Sequence, residues 1–196
     1  MTETTRDVHR NYEPAPDPEA LTGRPDGGND VEKNVDYEPH PEKSLQVSAE
    51  HQAIINGITN LYDGSCSEED MKVYAEKAIY DDPWSYCDTR YKIAGQWWGL
   101  PVVFAKLQTH KTEVVLDNDN EIVFKMQHEY TLKPSALHLS KVVNSLVCLG
   151  LDENGKVKYH KEKWNEKDYS HEGLGKAMKT LNGDQLTHIT KPPEWL

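Results

Sequence analysis

The run at positions 58–84, ITNLYDGSCSEEDMKVYAEKAIYDDPW, constrains the fold more than any other part of the chain. A helix ends in it at Asp63-Gly64, where glycine relieves the steric cost of a left-handed turn. Ser67, followed by Glu68, Glu69 and Asp70, then opens a second helix with Met71, Tyr74, Ala75 and Ala78 as its apolar stripe. Pro83 cannot donate to a ladder and biases Asp82 toward extended geometry, so a short strand over 79–82 must finish at Asp81-Asp82-Pro83. That order aims a carboxylate at whatever the fold encloses.

Upstream, Ile54, Ile55, Ile58 and Leu61 share one face of a first helix behind Ser48, an N-cap candidate. Downstream, a third helix is expected to begin near Gly95 with Pro101 in its first turns and to end near His110; it carries Trp97, Trp98, Val102, Val103, Phe104 and Leu107. Strands follow over 112–116, 121–133, 139–151 and 156–169, the last two joined as a hairpin by Asp152-Glu153-Asn154-Gly155. In the second of these, Ile122, Phe124, Met126, His128, Tyr130 and Leu132 share one face, opposite Glu121, Lys125, Gln127, Glu129 and Thr131. His128 and Tyr130 therefore point inward. In the last strand, Val157 and Tyr159 alternate against His160, Glu162 and Trp164, so a bulge or a sheet buried on both sides is needed to fix the faces. A terminal helix over 172–181 and an extended KPPEWL end complete the chain, and no internal repeat is present.

Length and charge bound the function. A chain of 196 residues suits one domain with a tail. Residues 1–45 hold Pro14, Pro16, Pro18, Pro25, Pro39 and Pro41 with an excess of acids, and are expected to form a disordered leader. Residues 46–170 form the domain, and 171–196 the terminal helix and tail. The net charge of -11 argues against nucleic acid, whose phosphates need a basic face. No apolar run approaches the roughly 18 to 20 residues of a membrane span, and the N-terminus has no export segment, so a cytoplasmic protein is expected. Cys66, Cys87 and Cys148 have no disulfide or zinc spacing and read as free thiols. No pair of histidines four apart gathers the acids into a metal site.

Three helices followed by a long curved, mainly antiparallel sheet make an α+β cone enclosing a pocket. From about Gln46 to Tyr169 the chain resembles the nuclear-transport-factor-two-like superfamily, in the branch that includes ketosteroid isomerases and SnoaL-like polyketide cyclases. The marks are VYAEKAIYDDPW and LDENGKVKYHKEKW. The resemblance implies that Asp82 occupies a general-base position, that His160 and Trp164 stand on a pocket-lining final strand, and that the sheet favours homodimers. It also implies two departures. The isomerase's oxyanion-hole tyrosine and protonated aspartate correspond here to Ile58 and Val147, neither of which can donate. Each such donor is worth about 2.7 to 4 kcal/mol, so steroid isomerisation is not expected. Scytalone dehydratase is similar at isolated positions: Tyr62-Asp63 closing the first helix, and His110 and His128 near the sheet.

These readings give Asp82 and His128 as the acid–base pair, with His110 assisting. Tyr130, His160, Trp164, Trp98, Tyr62 and Asp63 are the substrate contacts. Imidazole, with an ordinary pKa of about 6.5, can exchange protons near neutrality. The plainer reading of Asp82 is a turn cap before Pro83, and that of His128 a buried histidine satisfied by Tyr130 or a carbonyl. His110 would be a cation at a helix end, Tyr62-Asp63 a helix closure, and Trp97-Trp98 packing. The expected function is a lyase, cyclase or isomerase without cofactor or metal, acting on a small apolar, aromatic or polyketide-like compound. The alternative is a non-catalytic ligand-binding, dimerisation or interaction module. The discriminating observation is whether Asp82, His128 and Tyr130 converge on an open cavity.

Overall fold

The computed structural model describes residues 36–134, 139–164, 185 and 187–193. Ser48 Oγ accepts from the His51 N–H at 3.1 Å and opens α1 (Ala49–Tyr62), which buries Ile54, Ile55, Ile58, Leu61 and Tyr62. Gly64, at φ +82, turns the chain. A Cβ there would meet Leu107 Cδ1 at 2.9 Å. Ser67 caps α2 (Glu68–Met71) as expected, but α2 is a single turn.

The second helix does not continue to Ala78. Residues from Tyr74 form β1 (Tyr74–Asp81), a strand twice as long as the one expected over 79–82. Tyr74, Ala75 and Ala78 fit a helical stripe, yet Ala78, Ile79, Tyr80 and Asp81 are all buried in succession. A strand packed on both faces shows no alternation to read. β2 (Tyr86–Cys87) folds back antiparallel on β1.

Thr89 Oγ1 accepts from the Lys92 N–H and starts α3 (Arg90–Val103) earlier than Gly95, so Pro101 falls in its last turn, not its first. Phe104, Leu107 and His110, expected in that helix, belong to β3 (Phe104–Asn118). Three register shifts in β3, between Phe104 and Lys106, Thr109 and Lys111, and Val114 and Leu116, break its period of two. That is why only 112–116 reads as strand. β4 (Glu121–Leu132), β5 (Ser140–Leu151) and β6 (Val157–Trp164) follow, with Asp152 Oδ1 accepting from Asn154 and Lys156 N–H at 2.9 and 2.8 Å in the last hairpin.

The six strands run β2-β1-β6-β5-β4-β3, with β1 and β6 parallel and every other pair antiparallel. α1 and α3 cover the inner face, where Ile58, Trp97, Phe124, Val147 and Leu149 form the core. The outer face is covered too: Tyr37 packs on Val123, Leu146 and Cys148, and Ile79 packs with Tyr86 and Tyr159. Burial on both sides fixes the faces of β6, placing His160, Glu162 and Trp164 inside and Tyr159 and Lys161 outside. The packed chain thus begins before Gln46. The His40 N–H donates to Glu113 Oε2 at 2.7 Å, and Lys125 Nζ lies 3.3 Å from the same oxygen. Residues 1–35, the terminal helix expected over 172–181, and Trp195 lie outside the described residues. Among the described residues no helix is long and apolar enough to cross a membrane.

Candidate active site

A cavity of about 580 Å³ lies between α1, α3 and the inner face of the sheet. Its walls are mainly aromatic: Trp84, Trp97, Trp164, Tyr62, Tyr80 and Tyr130 all face it. Ring contacts make these walls continuous. Trp164 lies 6.4 Å from Trp84 and 6.3 Å from Tyr130, while Trp97 lies 4.8 Å from Tyr62 and 5.3 Å from Tyr80, centroid to centroid. Leu100, Val103 and Leu132 complete the apolar surface.

Two carboxylates open into this space. Asp82 sits where β1 ends, and its Oδ1 accepts from the Trp84 N–H at 2.7 Å and from the Ser85 N–H. Tyr80 donates its hydroxyl to Oδ2 at 2.8 Å. The turn cap and the cavity position are therefore held by one side chain, because Pro83 stops the strand just where the sheet meets the cavity.

Glu162 is the second carboxylate, and the sequence reading passed over it. It stands on β6 opposite Val147, on the inner face between His160 and Trp164, and is 3% exposed. Burial, and then the negative charge of Asp82, push its pKa up to about 7; the donor groups of Trp164, Ser145 and Tyr62 nearby oppose the rise. Ser145 Oγ and Trp164 Nε1 are both buried and neither closes a hydrogen bond at normal length. The available signal was parity: Glu162 shares the face of His160 and Trp164, two residues already placed in the pocket.

His160 lies behind the wall. Its Nδ1 is 2.6 Å from the Tyr74 hydroxyl and its Nε2 is 3.3 Å from the Tyr62 hydroxyl. Burial holds its pKa down at about 3, so it is a neutral imidazole bridging two tyrosines. Burial likewise raises the pKa of Tyr62, Tyr74, Tyr80 and Tyr130 well above the ordinary phenol value, keeping all four protonated.

The other expected residues are dispersed. His128 is buried on β4 beside the cavity and does not line it. Its Nδ1 meets Thr109 Oγ1 at 3.1 Å and Asp63 Oδ1 at 3.6 Å. Burial lowers its pKa to about 4, partly opposed by Asp63. Asp63 accepts from the Thr109 N–H and hydroxyl at 2.6 and 2.8 Å, tying the end of α1 to β3. His110 is no helix terminus: it lies in β3 with its Nε2 3.0 Å from Glu129 Oε2, an oxygen that Lys106 Nζ reaches at 2.8 Å. Trp98 packs against the core from α3 and does not face the cavity. Asp82, Tyr130, Tyr62 and Trp164 are thus brought together, whereas His128, His110, His160, Asp63 and Trp98 are not. Among the described residues no group of three or more His, Cys, Asp or Glu side chains is arranged to hold a metal.

No protein-family model matches the sequence, and no curated protein matches it significantly. Solved structures do match. An NTF2-like protein from Anabaena variabilis superimposes with a TM-score of 0.51 at 12% identity, over 61% of this chain and 93% of that one. A hypothetical protein with a ketosteroid isomerase-like fold from Catenulispora acidiphila gives a TM-score of 0.49 at 11% identity, over 56% and 83%. A putative SnoaL-like isomerase from Agrobacterium tumefaciens gives 0.46 at 14%, over 60% and 98%. With its curved six-stranded sheet and covering helices, the chain has the nuclear-transport-factor-two-like fold.

Proposed function

We propose that the protein is a cofactor-independent acid–base enzyme, a lyase, cyclase or isomerase, acting on a small and largely apolar compound held in the aromatic cavity. The observation that carries this reading is Glu162. A carboxyl with a pKa of about 7, buried against an apolar cavity, can both accept and return a proton near neutrality. Asp82 is the reason for part of that shift and lines the same cavity, so the two carboxylates divide the roles: Asp82 is fixed by its donors while Glu162 carries the mobile proton. Tyr62 and Tyr130, held protonated, are the donors available to a substrate oxygen. His128 supports the floor from behind through Tyr130, whose ring centroid is 4.4 Å away.

The test is an untargeted mass-spectrometric comparison of small apolar metabolites before and after incubation with the protein. The expected result is conversion of a compound to an isomer or to its dehydration product, abolished in Glu162→Gln and Asp82→Asn. Retention of a compound without any conversion would replace the enzyme by a ligand-binding module.

A further inference from the structure

We propose that Gln96 selects what this cavity binds: its side-chain amide donates a hydrogen bond to an acceptor oxygen on the ligand, which is therefore an oxygenated compound and not a bare hydrocarbon. The inference rests on the reading of this cavity as the functional site and adds a specificity residue together with the group it recognises.

Gln96 stands in the middle of α3 beside Trp97, and both residues line the cavity. It is only 8% exposed. Side chains of this kind are seldom buried so far unless both ends of the amide are hydrogen-bonded. Here one end is. Ser85 Oγ donates to Gln96 Oε1 at 2.7 Å, whereas Gln96 Nε2 is buried with no hydrogen-bond partner among the described residues. Turning the amide over would not repair this, because Nε2 would then donate to Ser85 Oγ and Oε1 would be the atom left over. Ser85 cannot move across to serve the other end. Its carbonyl accepts from the Asp82 N–H at 3.0 Å and its own N–H donates to Asp82 Oδ1, so it is locked into the turn that ends β1.

A ligand oxygen brought against the α3 wall supplies the missing acceptor. The bond would form among apolar and aromatic side chains, where it is stronger than in water. A hydrocarbon of the same shape fills the same space and leaves the buried donor without an acceptor, so the wall discriminates against it. The donor is also a separate one from those that ketosteroid isomerase uses. The two positions that correspond to its oxyanion donors are Ile58 on α1 and Val147 on β5, and both are packed into the core. Gln96 therefore adds a contact from α3 to the hydroxyls that Tyr62 and Tyr130 offer from α1 and β4.

The experiment measures binding of 2-acetylnaphthalene and of 2-isopropenylnaphthalene to the full chain by equilibrium dialysis. The two probes share one shape and are both uncharged; a CH2 group in the second replaces the carbonyl oxygen of the first. The ketone is expected to bind at least about tenfold more tightly, although the alkene is the more hydrophobic of the two. Gln96→Met keeps the length of the side chain and removes the donor, and it should bring the two affinities to within about twofold by weakening the ketone. Should that variant not fold, nitrogen-15 NMR of the native protein gives the answer. The Gln96 side-chain NH2 resonances should move downfield with the ketone beyond any shift that the alkene causes. Equal affinities in the native protein, a preference for the ketone that survives Gln96→Met, or NH2 resonances that respond alike to both probes overturns the role of Gln96 and leaves the acid–base reading standing. Exclusion of both probes removes the cavity as a ligand site and overturns both readings. A Gln96-dependent preference in a protein that converts no compound sustains this inference and removes the enzyme.

Discussion

At the scale of single residues, the two carboxylates differ in how they could be found. Asp82 is legible because Asp-Pro is a strong local signal: proline ends the strand, and an aspartate before it finds backbone donors. Glu162 leaves no such local trace. It is an acid between Lys161 and Lys163, a pattern normally solvated, and only burial on both faces of β6 turns it inward. The histidines mislead for the opposite reason. His128 and His160 have inward parity, but Tyr62 and Tyr74 occupy both nitrogens of His160, Thr109 engages Nδ1 of His128, and both rings stand behind the cavity wall. The coupling between the acids gives a direct check. Because the Asp82 charge raises the Glu162 pKa, Asp82→Asn should move it down from about 7 toward the ordinary 4.5, while the retained amide oxygen keeps the turn cap. Carbon-13 NMR titration of the glutamate side chains measures this. A Glu162 titration unmoved by the substitution would show that the acids do not share the cavity.

At the scale of elements, capping and turn chemistry were readable and periodicity was readable only where one rule governed a segment. Ser48, Ser67 and the Asp152 turn behave as their residue types dictate. β4 alternates around His128, which is buried, while Gln127 and Glu129 on either side of it are only partly so. β1 fails because it is buried on consecutive residues, and β3 because its bulges reset the alternation. Gly64 tests the joint between α1 and β3 that frames the cavity. Alanine there adds a left-handed penalty of about 1 to 2 kcal/mol, and its Cβ also crowds Leu107 at 2.9 Å and Pro101 Cγ at 3.3 Å. Gly155 has a similar φ of +69 with open space around it. Gly64→Ala should therefore destabilise the protein more than Gly155→Ala in urea unfolding. Equal losses would mean that the packing of α1 on β3 yields freely.

At the scale of the whole molecule, the cone was legible from element order, whereas what covers the outer face of its sheet was not, since Tyr37 comes from a stretch whose composition reads as disordered. Burying ionisable groups on both walls makes folding depend on pH with terms of opposite sign. Glu162 keeps its proton up to about pH 7 in the folded state but loses it near 4.5 when unfolded. Across that interval the folded state binds one proton more, so this group costs stability as pH rises, by about 1.4 kcal/mol per pH unit. His128 and His160 act the other way. Their folded pKa values of about 4 and about 3 lie below the unfolded 6.5, so the unfolded chain binds more protons, and stability is lost as pH falls below 6.5. From about pH 4.5 to 6.5 two protons oppose one, and stability should rise with pH at about 1.4 kcal/mol per unit. Glu162→Gln removes the opposing group, and the slope should steepen to about 2.7 kcal/mol per unit. Urea unfolding of both proteins across this interval compares the slopes, and every other titrating group cancels between them. Identical slopes would mean that Glu162 ionises as an ordinary acid, and the catalytic reading would lose the proton on which it depends.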